Sequence, residues 1–255
     1  MKRSSNINHF KDYYSAHSKD YANYRPDYPI ELFQFLSDNT QHHDQAWDCG
    51  TGNGQAAALL SPFYHNVLAT DASSKQISNA TKKDNITYLQ TIAEKCPLGD
   101  HSIDLITVAQ AFQWFDFDAF FNETNRTLKP NGLIAIWCYN LQEINPAIEK
   151  VIMKLYVDIL GPYWPEERKY IVHGYSNIFF PFNMIKTPNF KIMKNWNFDQ
   201  EIDYLSTWSA IQRFENEKNK NPLDLIYDDL LSAWGNKNKE LKIIWPIKLL
   251  AGRKR

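Results

Sequence analysis

The sequence predicts an α/β fold built on a doubly wound, mostly parallel sheet with helices on both faces, and three observations carry that prediction. Between residues 45 and 139, short apolar runs alternate with helical stretches, which is the rhythm of strand–helix–strand units. A glycine-rich turn, Gly50-x-Gly52-x-Gly54, falls where the first apolar run meets the first helix. An acidic residue, Asp71, closes the second run.

Residues 1–30 read as one or two amphipathic helices broken at Arg25-Pro26, with Tyr13, Tyr14, Tyr21, Tyr24 and Tyr28 as their aromatic weight. A further helix begins at Ile30. Strands are expected at 46–49, 67–70, 86–89, 103–108 and 133–137, with helices at 55–60, 75–81 and 117–128 between them. Crossovers in such a sheet are right-handed, which puts helices on both faces. After residue 140 the rhythm changes. Residues 147–160 read as a helix with Ile148, Val151, Ile152, Leu155 and Ile159 on one side, followed by an aromatic, proline-containing stretch over 161–182. An amphipathic helix is expected at 223–234, a strand element at 241–250, a Lys- and Asn-rich surface loop at 216–221 and a solvated basic tail at 252–255.

Composition narrows the function classes. A chain of 255 residues holds one large α/β domain or two small ones and has a core that needs no disulfide. The net charge of −1 gives no global field for nucleic acid or anionic membrane. No stretch approaches the roughly 18 apolar residues of a membrane span, and no apolar signal segment follows the N-terminus. Cys49, Cys96 and Cys138 are odd in number and lack metal-ligand spacing, so buried free thiols in a reducing compartment are expected. The histidines, including the His42-His43 pair, lack ligand spacing as well, and no metal site is expected. Together these features indicate a cytoplasmic protein.

The chemistry concentrates at Asp48-Cys49-Gly50-Thr51-Gly52-Asn53-Gly54-Gln55. Glycines spaced this way let the backbone turn sharply and approach a ligand closely. The spacing differs from the Gly-x-Gly-x-x-Gly of a dinucleotide site, and an acidic residue ahead of the first glycine suits an ammonium-bearing ligand better than a pyrophosphate. Asp71, 17 residues after Gly54, can accept both hydroxyls of a ribose. Taken alone it is also compatible with a helix N-cap.

The run Ala46-Trp47-Asp48-Cys49-Gly50-Thr51-Gly52-Asn53-Gly54-Gln55-Ala56-Ala57 resembles the first motif of class I S-adenosylmethionine-dependent methyltransferases. It is particularly similar to the trans-aconitate methyltransferase-like group, as are Ala69-Thr70-Asp71-Ala72-Ser73, Ala93-Glu94-Lys95-Cys96-Pro97-Leu98, Ala109-Gln110-Ala111-Phe112-Gln113-Trp114-Phe115 and Leu128-Lys129-Pro130-Asn131-Gly132. The resemblance spans essentially the whole chain. It implies a Rossmann-like sheet of seven strands with the last antiparallel, divided into an N-terminal helical cap (1–40), a cofactor-binding core (41–140), and a lid insertion with C-terminal strands (141–255). It implies S-adenosylmethionine as cofactor, with Asp48, Gly50, Thr51, Gly52 and Gln55 around the methionine moiety and Asp71 on the ribose. Ala72, Ala93 and Glu94 would flank the adenine, and Gln110 would lie near the sulfonium. Two departures stand out. Ile92 occupies a place often acidic in the family, and Gln113 replaces a common histidine before Trp114-Phe115, which puts a histidine base there in doubt.

Arg25, Gln113, Trp114, Arg168 and Trp208 are the candidates for the acceptor side, with Tyr14, Tyr21, Tyr163, Trp164 and Tyr175 as further lid residues, and Arg213 as a third arginine for a carboxylate. His173 is a weaker candidate for a base. The expected partner is a small-molecule methyl acceptor, with a carboxylate methylated on oxygen as the candidate, and with no nucleic acid and no membrane; a monomer or weak dimer is expected. A tRNA or protein methyltransferase, and a protein that binds the cofactor without turnover, remain alternatives. A nicotinamide oxidoreductase fits the glycine spacing poorly.

Overall fold

A computed structural model of the chain describes residues 25–254. The expected helices before Arg25, with Tyr13, Tyr14, Tyr21 and Tyr24, lie outside the described residues, as does Arg255. From Ile30 the elements run α1 (Ile30–Asp38), β1 (Gln45–Cys49), α2 (Gln55–Leu60), β2 (Asn66–Asp71), α3 (Ser74–Ser78), β3 (Ile86–Gln90), β4 (Ile103–Ala109), α4 (Phe117–Thr127) and β5 (Leu128–Tyr139). Then follow α5 (Pro146–Met153), α6 (Arg168–Val172), β6 (Asn183–Met184), β7 (Lys191–Trp196), α7 (Phe198–Ser206), α8 (Ser209–Lys218), α9 (Tyr227–Trp234) and β8 (Leu241–Arg253).

The strand order is β3-β2-β1-β4-β5-β8-β6, with β7 paired to β8 off that path. Pairs from β3 through β5 are parallel, whereas β8 runs antiparallel to β5, β6 and β7. The main path has seven strands, the number expected, although its two-residue β6 was not placed from the sequence, and β7 makes an eighth. All six residues from Ile103 to Val108 in β4 are buried, which is why the central strands read as continuous apolar runs rather than as alternating ones.

Alternation along these strands instead sorts side chains between two cores. Leu105, Ala135 and Trp137 face a core shared with α1, α2, α5, α7 and α9. Ile106, Val108, Ile134 and Ile136 face the other, completed by Phe120 and Phe121 of α4 and Ile171 of α6. Because successive strand residues point to opposite faces, one apolar run supplies both layers. Cys49, Cys96 and Cys138 are free and buried among them.

Four expectations need correction. The surface loop expected at 216–221 begins only after Lys218, where α8 ends. The helix expected over 147–160 remains α-helical only to Met153, and Lys154–Ile159 continues as a π-helix. Residues 223–234 divide into a 3-10 turn, Pro222–Leu225, and α9. The closing basic run is not a solvated tail: β8 extends through Arg253, and Lys254 is buried. Its Nζ donates to the carbonyl of Leu128 at 2.8 Å, to that of Asn125, and approaches His101 Nδ1 at 2.9 Å. A cation there satisfies carbonyls at the C-terminal end of α4. Among the described residues, no helix is long and apolar enough to cross a membrane.

Candidate active site

Strand order reverses between β1 and β4, and in open α/β sheets ligands bind in the crevice beyond the carboxyl ends of the strands at such a point. A cavity of about 490 Å3 opens there. Its lining comes from the ends of successive strands: the glycine turn after β1, Asp71 to Ser73 after β2, Thr91 to Glu94 after β3, Ala109 to Ala111 after β4, and Tyr139 at the end of β5.

The turn after β1 has left-handed backbone at Gly50, Gly52 and Gly54, with φ of 68°, 58° and 81°. Two of these glycines serve different ends. A Cβ on Gly54 would stand 2.2 Å from the Tyr88 hydroxyl, so the turn is packed against β3 there. A Cβ on Gly52 would meet nothing within 4 Å, and since Gly52 lines the cavity, a side chain there would project into open space. Asp71 fixes the turn from the second strand. Its Oδ2 accepts the Gly52 N–H at 2.9 Å, and its Oδ1 accepts the Ser73 N–H at 2.8 Å. Asp71 lines the cavity itself, so its carboxylate stands at the wall.

Asp48 sits elsewhere than expected. It is fully buried and does not line the cavity. Its Oδ2 accepts from Thr51 Oγ1 at 2.5 Å and its Oδ1 from Thr107 Oγ1 at 2.7 Å. Burial pushes its carboxyl up to about 6 against the pull of those two hydroxyls. Thr51, which does line the cavity, is the link between them. Gln55 lines the cavity too, while its amide donates to the Pro26 carbonyl and to Asp27 Oδ1 at 3.3 and 3.1 Å. Ala72, Ala93 and Glu94 line this cavity, where Glu94 Oε1 accepts the Asp116 N–H at 2.9 Å, and Trp114, expected on the acceptor side, lines it too and not the adjoining chamber.

Gln110 joins this cavity to a second, small chamber of about 30 Å3. Gln110 has left-handed backbone, φ 57°, a conformation uncommon outside glycine and concentrated at functional sites. Its amide pairs with both backbone groups of Tyr139, donating to the carbonyl at 3.1 Å and accepting the N–H at 2.9 Å. Arg25 and Tyr139 also line both spaces. The chamber is completed by Gln113, Asn140, Trp164, Arg168, Ile171, Tyr204, Trp208 and Ser209, so two guanidinium groups face it and no carboxylate, lysine or histidine among the described residues does.

Arg25 Nη1 donates to Tyr139 Oη at 3.3 Å and Nη2 to the Thr207 carbonyl at 3.4 Å, with the guanidinium 5.5 Å above the Tyr204 ring. Arg168 Nε donates to Tyr156 Oη at 3.1 Å and Nη2 to Asn140 Oδ1 at 2.9 Å. Gln113, in the histidine's place, is buried and wired on both sides. It donates to the Gln110 carbonyl at 3.0 Å and accepts from Tyr175 Oη at 2.6 Å.

The lid candidates therefore separate. Trp164, Arg168 and Trp208 line the chamber. Tyr175 stands behind Gln113, Tyr163 and Arg213 line neither space, and Arg213 donates instead to the Tyr163 carbonyl at 3.3 Å. His173 lines neither space and lies at the end of α6. Tyr139, Asn140, Tyr204 and Ser209 were not legible as site residues. Tyr139 lies two positions beyond the expected end of the fifth strand, and extending that apolar run would have found it.

Comparison with known proteins agrees with this geometry. Residues 47–136 match the family described as a methyltransferase domain. A protein of Dictyostelium discoideum named as a methyltransferase is 35% identical over 252 residues, covering 96% of both chains. An uncharacterised methyltransferase of Schizosaccharomyces pombe is 26% identical over 234 residues, covering 88% of this chain and 91% of that one. The solved structure of a type II methyltransferase from Anaeromyxobacter dehalogenans superposes with a TM-score of 0.84 at 36% identity, over 90% of this chain and 97% of that one.

This chain is a class I S-adenosylmethionine-dependent methyltransferase. S-adenosylmethionine is the methyltransferase's cofactor, and the crevice fits it: the open space at the Gly52 Cβ position and the Asp71 carboxylate at the wall suit a ligand carrying a ribose.

Proposed function

We propose that this methyltransferase esterifies a small carboxylate-bearing acceptor on oxygen. The observation that carries this reading is the small chamber, which two arginines face and in which, among the described residues, neither a carboxylate nor a basic imidazole or amine stands. An anion is the ligand such a chamber attracts, and Arg is the side chain suited to a planar, two-oxygen anion. A carboxylate oxygen is already a nucleophile and needs no general base, whereas an amine or hydroxyl acceptor needs one in reach.

In this reading Gly50, Thr51, Gly52 and Gln55 hold the methionine end of the cofactor. Asp71 takes the ribose hydroxyls, and Ala72, Ala93, Glu94 and Trp114 enclose the adenine end. Asp48 acts through Thr51, by fixing the turn. Bound S-adenosylmethionine supplies a methyl group on positively charged sulfur. The chain supplies alignment, worth about 7–11 kcal/mol of barrier when the reacting atoms are held in line. Arg25 and Arg168 hold the acceptor anion, Gln110 joins the two spaces, and Gln113 and Trp208 wall the chamber. Trp164 and Trp208 exclude water, which favours a reaction in which an anion and a cation neutralise each other.

The test is incubation with methyl-labelled S-adenosylmethionine and a panel of carboxylic acids, amines, bulk tRNA and denatured protein. Label released as methanol by mild alkali identifies an ester. Carboxylate-dependent, alkali-labile label that falls at least about 100-fold in Arg25→Ala and Arg168→Ala is expected. Base-stable label on an amine, on tRNA or on protein would overturn the reading, and cofactor binding with no turnover on any acceptor would favour a binding protein.

A further inference from the structure

The π-helix Lys154–Ile159 is the least expected element of the fold, because π segments are rare and recur at functional sites. Its hydrogen bonds have a specific consequence for Arg168. In a continued α-helix the Leu160 N–H would be given to the Tyr156 carbonyl, four residues back. Here the Leu160 N–H goes to Leu155, five residues back, at 2.9 Å. The Tyr156 carbonyl instead accepts the Trp164 indole N–H at 2.9 Å.

That exchange places two aromatic rings. Trp164 and Tyr156 lie with ring centroids 4.9 Å apart. The Arg168 guanidinium sits over both, 4.8 Å from the Trp164 centroid and 5.4 Å from that of Tyr156. The Tyr156 hydroxyl takes Nε and Asn140 takes Nη2. Among the described residues Nη1 has no hydrogen-bond partner and no carboxylate pairs with the group, although Arg168 lines the chamber.

We infer that Tyr156 and Trp164 are positioning residues, delivered by the π segment, that lock Arg168 in one orientation with Nη1 offered to the acceptor's anionic group. Neither touches the acceptor through its polar atom; both act through Arg168. The anionic role rests on the carboxylate reading above, and the locking does not. A guanidinium fixed in advance loses less freedom for each hydrogen bond it makes to a ligand. The five-back bond of Leu160 leaves the Tyr156 carbonyl out of the helix ladder, and the Trp164 indole N–H takes it.

The test uses the full chain with 15N-labelled arginine and saturating S-adenosylhomocysteine, and acetate as the smallest carboxylate probe. The Arg168 Nε–H resonance is assigned by its loss in Arg168→Lys. Tyr156→Phe and Trp164→Phe are expected to move that resonance and speed its exchange with water, while S-adenosylhomocysteine affinity stays within about twofold. Acetate is expected to shift the wild-type resonance saturably, and Tyr156→Phe to weaken that response about tenfold or more, the consequence of losing a hydrogen bond to a charged group. An Arg168 resonance unmoved in both variants would overturn the locking. A resonance that moves in the variants, with no response to acetate in wild type, would uphold the locking and overturn the carboxylate reading.

Discussion

The Tyr175 hydroxyl donates to Gln113 Oε1 at 2.6 Å, across 62 positions of sequence. Tyr175 is fully buried and has left-handed backbone, φ 60°, directly after Gly174 at 57°. Two consecutive left-handed residues just beyond α6 therefore set a phenol against the Gln113 amide. The bond fixes which end of Gln113 faces Gln110: its amino group, donating to the Gln110 carbonyl.

Tyr175→Phe leaves the buried Gln113 oxygen without that donor. We expect a loss of about 1–3 kcal/mol in stability, the cost of an unsatisfied buried acceptor. Turnover should fall while S-adenosylmethionine affinity, a property of the other cavity, holds. Chemical denaturation and calorimetric titration check the two halves.

The cofactor crevice gives a sharper contrast. Gly52→Val meets no atom in the fold but sits at positive φ and projects into the crevice. It should cost about 1–2 kcal/mol in stability for the left-handed backbone and abolish measurable S-adenosylmethionine binding. Gly54→Val, with a Cβ 2.2 Å from the Tyr88 hydroxyl, should unfold the turn and lower Tm much further. Asp71→Ala should lose binding and also lower Tm, because the Gly52 and Ser73 N–H groups lose their acceptor. Titration with S-adenosylmethionine, with NAD as the control, reads all three.

Glu201 is the pH-sensitive group of the core. It is fully buried, with Oε1 accepting from Gln142 at 2.5 Å, and among the described residues neither Glu201 Oε2 nor Gln142 Oε1 has a hydrogen-bond partner. Burial pushes its carboxyl up to about 8. A raised carboxyl stabilises the fold most below its unfolded value near 4.5, and that contribution is lost as pH rises toward 8. Glu201→Gln removes the charge, and its amide N–H can meet Gln142 Oε1. We expect the variant to match wild type near pH 4.5 and to exceed it by about 3–5 kcal/mol above pH 8, taking 1.36 kcal/mol per pH unit. Melting curves from pH 4.5 to 9 decide it; a variant less stable throughout would show the acid to be needed.

Lys254→Met keeps length and apolar contact but removes the donors to the Leu128 and Asn125 carbonyls. It should destabilise by about 1–2 kcal/mol, with little dependence on salt, since the group is shielded from solvent. Urea titration at low and high salt measures both parts.

The extent to which the sequence announced all this follows from how locally each feature is encoded. β1 through β5 and the glycine turn are written in contiguous residues: apolar runs, a turn with its glycines, and an acid ending β2. The chamber is not. Arg25, Gln110, Asn140, Arg168 and Trp208 meet only because five separate segments converge beyond the sheet, and no spacing in the chain records that. Asp48 shows the opposite failure. Its place beside the glycines is local and plain, but whether its carboxylate turns outward or inward depends on Thr107 in β4, 59 positions away. The helix after β5 broke its own pattern for a similar reason, since Ile148, Ile152 and Leu155 do face the core while the hydrogen bonds around Tyr156 are set by Trp164.

The position of β8 in the sheet has a bearing on how the chain is made. β8 lies between β5 and β6 and also carries β7, so β5 keeps an unpaired edge, with Trp137 and Tyr139 on it, until Arg253 has been synthesised. At about 5–20 residues per second that interval is on the order of 10 s. A nascent chain thus offers a long, flat, apolar strand edge to its neighbours on the same message, the situation in which edge-to-edge aggregation begins. Yield in the cell should depend on translation speed over residues 140–253 and on chaperone supply more than on the stability of the finished enzyme.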